Sequence, residues 1–179
     1  MGVNCNNFER ILETADLSRL AEAGRKELLN RLDDPDSAVR FWAVTGLSSF
    51  DLDAEVIESL KPRLDDESIS VSLAAADYLV RAGEGALTLP ALTRALASDI
   101  LWARMRAGAY LSYCGRQQLL PMKPLVPALQ AAAENQSFFG PEHDRHIEAN
   151  FSMKMIDAQR DVIAKLWVME RVAERIELS

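Results

Sequence analysis

Apolar positions recur along this chain at helical spacing, and three stretches of it share one register 32 residues apart. Leu32, Leu64 and Leu96 form one column of that register, Ala43, Ala75 and Ala107 a second, and Leu47, Leu79 and Leu111 a third. Upstream, Leu28, Leu60 and Leu92 fall into the same frame. Within each copy, the spacing of the apolar residues places them on one face of a helix. Two such helices per period, joined by a polar turn, make a hairpin that cannot bury its own apolar face and so stacks on copies of itself. The pattern predicts an all-α solenoid of paired helices.

The punctuation between the apolar stretches sets the expected elements. Asn6 or Asn7 is expected to cap a short opening helix through Leu12, and Asp16 to cap the next, from Leu17 towards Leu32. On that helix Leu20, Gly24, Leu28 and Leu32 make a stripe. At Asp33-Asp34-Pro35-Asp36 the helix stops, and Asp36 or Ser37 starts another that buries Val39, Ala43 and Leu47. A second hairpin pairs about 54–64 with 69–80, with Pro62 bending its first helix. The third pairs about 87–96 with 101–111. Beyond Cys114-Gly115 the register breaks, and a long amphipathic helix from Glu142 onward is expected to cap the array. The 179 residues therefore read as a single repeat domain, with repeats at about 17–50, 53–82, 86–114 and a degenerate 123–177.

Composition narrows what such an array does. Hydrophobic residues make up 49% and aromatics 7%, as in close-packed helices rich in Ala and Leu. A formal charge of −7 argues against a nucleic-acid partner, whose binding needs clustered Lys and Arg. No apolar run approaches a membrane span, and the start lacks the basic and apolar regions of a signal peptide, so the expected location is cytoplasmic. Cys5 and Cys114 stand far apart and outside any metal spacing, and both are read as thiols.

The order Leu, then Asp-Asp at the turn, then Val-Arg-x-x-Ala-x-x-x-Leu on the second helix resembles HEAT repeats over about residues 20–135. The resemblance implies a right-handed α-α superhelix that works as a protein-binding scaffold, with second helices lining its concave side. It also implies a ladder in which the turn Asp of one repeat meets the helix Arg of a neighbour. Asp34 and Arg40 fit that ladder, whereas Ser72 replaces the Arg of the middle copy and Ser98 the Asp of the third. Over residues 8–80 the chain also resembles the helical tail behind the catalytic domain of some bacterial sulfatases, through Glu9-Arg10-Ile11-Leu12-Glu13 and Asp34-Pro35-Asp36-Ser37. That likeness implies an accessory segment joined to a catalytic body, and a periplasmic site if the body is exported. The nucleophile of sulfatases, a Cys or Ser two positions before Pro and four before Arg, is absent: two positions after Cys5 stands Asn7, and two after Cys114 stands Arg116.

Candidate chemistry is sparse. His143 and His146 sit three apart among Glu142, Asp144 and Glu148, the spacing of two metal ligands on one helix face and the basis of an alternative reading as a metal-dependent hydrolase. The simpler account is a polar helix start after Pro141, with acids complementing the helix dipole. The acidic turns at 33–36 and 65–67 lack the central Gly of a calcium loop and are read as caps. Trp42, Ala74 and Arg106 share a column off the buried stripe. Trp102, Arg104 and Arg106 crowd the start of the third copy, in a stretch from Glu84 to Lys123 where basic residues outnumber acidic ones. Trp and Arg anchor interfaces, so Trp42, Trp102, Arg104 and Arg106 are the expected partner-binding residues. No catalytic residue, metal or cofactor is expected, nor a small-molecule ligand. The sequence reads as a non-catalytic scaffold for a protein partner or a covalently linked catalytic domain.

Overall fold

The computed structural model describes residues 7–51, 53–117 and 119–135. Among these residues there are eight α-helices and no strand: α1 (Phe8–Asp16), α2 (Ala21–Asn30), α3 (Ser37–Leu47), α4 (Ala54–Leu60), α5 (Ile69–Arg81), α6 (Leu89–Leu96), α7 (Leu101–Gln117) and α8 (Val126–Glu134). The expected C-terminal capping helix lies outside the described residues. The chain divides into two compact units, residues 1–88 and 89–179.

In the first unit α1 packs on α3 and α3 on α5, while α2 packs beside α3. In the second, α6 packs against both α7 and α8. Every residue of the repeated columns is buried: Leu28, Leu60 and Leu92; Leu32, Leu64 and Leu96; Ala43, Ala75 and Ala107; Leu47, Leu79 and Leu111. Each fully buried Leu stabilises by roughly 1.5–3 kcal/mol relative to an exposed one. The alanines let helices approach, as does Gly46, where an added Cβ would sit 2.9 Å from both methyls of Leu28.

The turns repeat as faithfully as the core. Asp34 Oδ1 accepts from the Asp36 N–H at 2.9 Å, Asp66 Oδ1 from the Ser68 N–H at 2.8 Å, and Ser98 Oγ from the Ile100 N–H at 3.1 Å. A side-chain oxygen two residues before the donor thus closes the same local turn in each copy. Asp36, whose Oδ1 accepts from the Ala38 N–H, then caps α3. At the far end of α5 the Gly83 N–H binds the Val80 carbonyl and the Glu84 N–H binds that of Leu79. This is a Schellman closure, and it needs the positive φ of 87° that Gly83 supplies.

Four expectations about element ends change. α1 continues past Leu12 to Asp16, and Asn7 does not cap it; its amide donates to Asp36 instead. Asp16 caps nothing with its side chain, because Leu17–Arg19 forms a 3-10 turn and α2 begins only at Ala21. That turn carries Leu20 out of the buried stripe, 58% exposed. Pro62 does not bend an α-helix: α4 ends at Leu60, and Lys61–Asp65 tightens into a 3-10 segment whose early position suits a residue without an N–H. α7 runs to Gln117, six residues beyond its expected end.

Candidate interaction faces

Of the four side chains expected on the partner-binding face, Trp42 belongs to the first unit and Trp102, Arg104 and Arg106 to the second. On α3, Trp42 is 38% exposed and meets Phe41 edge-to-face, with ring centroids 5.6 Å apart. In the second unit, Trp102 is 47% exposed and the Arg106 guanidinium lies over its ring, 5.3 Å from the centroid. Such a cation–π contact, worth about 0.5–1 kcal/mol at an exposed site, biases both groups toward this arrangement. Tyr113, 47% exposed, lies on the same helix at positions 102, 106, 109 and 113, a spacing that keeps one face of α7 turned to solvent. Sequence reasoning missed Tyr113 because it ended the helix at Leu111. The extension of that i, i+4, i+7 series by one turn is the signal that finds it.

Arg104 does not belong with them. It is fully buried, and its Nη1 donates to the Ser98 carbonyl at 2.6 Å while Nη2 donates to that of Asn135 at 3.2 Å. Arg104 stands 64 positions after Arg40, so it occupies the arginine column of the repeat. In both, Nη1 donates to the carbonyl six residues earlier; for Arg40 that is Asp34, at 2.8 Å. A partner cannot reach Arg104, and its role is to hold turns together.

Arg40 shows what the column does when an acid faces it. Its Nε and Nη2 each donate to one carboxylate oxygen of Asp66, both at 2.8 Å, and Nη2 also reaches Glu67 at 3.3 Å. The Asp66 and Arg40 side chains are 3% and 6% exposed, so this pair lies in the protein interior. The hydrogen bonds that Arg40 donates to Asp66, chiefly, hold its guanidinium above its ordinary pKa. Burial pushes the Asp66 carboxyl upward. The hydrogen bonds from Arg40 and the Ser68 N–H, with the Arg40 and Arg63 charges, outweigh it, and the net direction is down. Arg10 on α1 meets Asp34 through Nη2 alone, with the arginine half-exposed and the carboxylate buried. The expected ladder is therefore present at Arg10–Asp34 and Arg40–Asp66.

A separate charged cluster ties α2 to the start of α4. Arg25 Nη2 lies 2.7 Å from both Asp53 and Glu55, and Asp53 also caps α4 by accepting from the Val56 N–H. That backbone bond, then Arg25, lowers the Asp53 pKa. These carboxylates are committed to caps and arginines. Among the described residues no group of three His, Cys, Asp or Glu side chains is arranged to hold a metal ion. His143 and His146, with their acidic neighbours, lie outside the described residues. Cys114 is buried in α7. No helix of the described residues is long and apolar enough to cross a membrane.

Residues 25–113 match the family model for HEAT repeats. Comparisons with curated proteins and with solved structures returned no match.

Proposed function

We propose that this chain, a HEAT-like repeat protein, is a non-catalytic module that binds another protein through the solvent-facing side of α7. The observation that carries the reading is the exposed series Trp102, Arg106 and Tyr113, with the Arg106 guanidinium already stacked on the indole. Large aromatics and arginine supply most of the energy of protein interfaces. A stacked pair loses less side-chain freedom on binding than two mobile ones. Asp36, Asp53 and Asp66 add support, since they serve caps and ion pairs rather than an exposed reaction centre. The narrower form of the reading, an accessory segment of a sulfatase, rests on the likeness of residues 8–80. The location proposed is the cytoplasm, or the periplasm in that narrower form.

The test is affinity capture from an extract of the source cells, followed by direct titration of the purified partner. Replacing Trp102, Arg106 and Tyr113 by Ala is expected to weaken that titration at least tenfold, with helicity and Tm unchanged. A partner that binds the triple variant as tightly as the parent chain refutes the choice of face. Hydrolytic activity that follows bound metal and is lost in His143→Ala and His146→Ala would refute the non-catalytic reading itself.

A further inference from the structure

The arginines that meet turn carboxylates reveal a repeat position that the 32-residue period leaves out. Arg10 pairs with Asp34 as Arg40 pairs with Asp66, and α1 packs on α3 as α3 packs on α5. α1 thus stands where the second helix of a preceding hairpin would stand, its arginine 30 positions before Arg40. Two residues after each arginine come Leu12 and Trp42, and two before Arg10 comes Phe8. All three are open to solvent: Phe8 by 61%, Leu12 by 49% and Trp42 by 38%. The next residue of this series, Ala74 on α5, is half-buried and adds no charge. An apolar strip therefore crosses α1 and α3, in equivalent positions on adjacent helices.

Its surroundings point to one kind of occupant. Residues 1–88 carry seventeen acidic and nine basic side chains, so this unit is strongly negative. Pairing two copies through the strip would set two such units against each other, which opposes self-association. A basic partner is drawn in by the same field. Adjacent helix axes lie about 8–10 Å apart, and residues i and i+7 of a helix are separated by about 10.5 Å along its axis. A helix laid across α1 and α3 therefore offers one apolar residue to Leu12 and another to Trp42.

We infer that the strip formed by Phe8, Leu12 and Trp42 is a docking surface for an amphipathic helix of another protein, one with an apolar stripe and a lysine- or arginine-rich polar face. The inference rests on the reading of the chain as an interaction module, though not on the α7 face. Its test uses the full chain with Trp102→Phe and Trp167→Phe, which leaves Trp42 as the sole indole. The probe is a synthetic 18-residue helical peptide, with Leu along one face and Lys elsewhere. Two controls accompany it: the same peptide with Glu for Lys, and a scrambled sequence of the Lys peptide.

The Lys peptide is expected to blue-shift Trp42 emission saturably and to bind at least tenfold more tightly than either control. Leu12→Glu and Phe8→Glu, at exposed positions that leave helicity intact, should each weaken it at least tenfold. Arg106→Ala should leave its Kd unchanged, so this inference and the α7 reading fail separately. Equal binding of the scrambled peptide would reduce the effect to charge alone and overturn the proposal. So would equal binding of the Glu peptide, or indifference to Leu12→Glu. Sedimentation that finds a dimer in the parent chain and a monomer in Leu12→Glu would assign the strip to a second copy, and would likewise overturn it.

Discussion

Asp66→Asn isolates the buried pair on which the first unit turns. The substitution keeps the shape of the side chain and an oxygen that can still accept from the Ser68 N–H, so the local turn survives. What disappears is the negative charge facing two donors of Arg40, each at 2.8 Å, where both side chains are almost wholly buried. Removing one partner of a buried pair costs about 3–5 kcal/mol, because the remaining charge stays desolvated. Arg40 retains the carbonyls of Asp34 and Pro35 and the largely exposed Glu67, which places the expected loss at the lower end, about 3 kcal/mol. Arg40→Met alone should also destabilise. The double variant should lose less than the sum of the two, since no lone charge remains inside.

The pH dependence has a definite sign. The folded-state pKa of Asp66 lies below its ordinary value, so its contribution is complete above the unfolded value of about 3.9 and fades as pH falls through the folded value. The gap between the parent chain and Asp66→Asn should therefore be constant from pH 7 down to about 4.5 and then narrow in acid. Urea unfolding followed by Trp42 fluorescence, in the Trp102→Phe and Trp167→Phe background, measures it in the right unit. A loss below about 1 kcal/mol at neutral pH would refute the reasoning. So would a gap that widens towards pH 3.

Ala75→Leu should destabilise by roughly 1–3 kcal/mol, because Ala75 is completely buried on α5 and three added carbons have no space to enter. An unchanged urea midpoint would contradict that. Gly24→Ala should cost at least about 2 kcal/mol, since its Cβ would lie 1.9 Å from the backbone oxygen of Leu17 and the turn before α2 would have to move. Gly46→Ala should cost less, because the obstacle there is the end of the Leu28 side chain at 2.9 Å rather than backbone. Reversal of that order in parallel unfolding curves would sink the comparison.

Much of the fold was readable because two periodicities coincide. The helical spacing of apolar residues defines a face, and the 32-residue shift identifies which faces are equivalent. Positions satisfying both, such as Leu47, Leu79 and Leu111, are buried without exception. The all-α hairpin architecture follows from them. What escaped sequence reasoning departs from one periodicity or the other. α1 was read as an isolated opening helix because its arginine precedes Arg40 by 30 positions, and the exposed Phe8 and Leu12 went unnoticed with it. Leu20 fits the helical stripe, yet it leaves the core because a 3-10 turn, three residues per turn, rotates it off that face. Arg104 was placed on the surface from its neighbours Trp102 and Arg106, although its column partner Arg40 already indicated a turn-binding role. Exposure of Trp42 and Trp102 depends on how far adjacent helices cover each ring, and no spacing rule reports that.

The two serines that interrupt the ladder each keep a local hydrogen bond. In the arginine column, Ser72 donates its Oγ–H to the Leu64 carbonyl at 2.8 Å and stays buried. In the turn column, Ser98 keeps the local bond that Asp34 and Asp66 make, closing on the Ile100 N–H. Each serine therefore makes a neutral hydrogen bond within its own unit, at a repeat position where another copy carries a charged side chain, Arg40 in one column and Asp34 or Asp66 in the other.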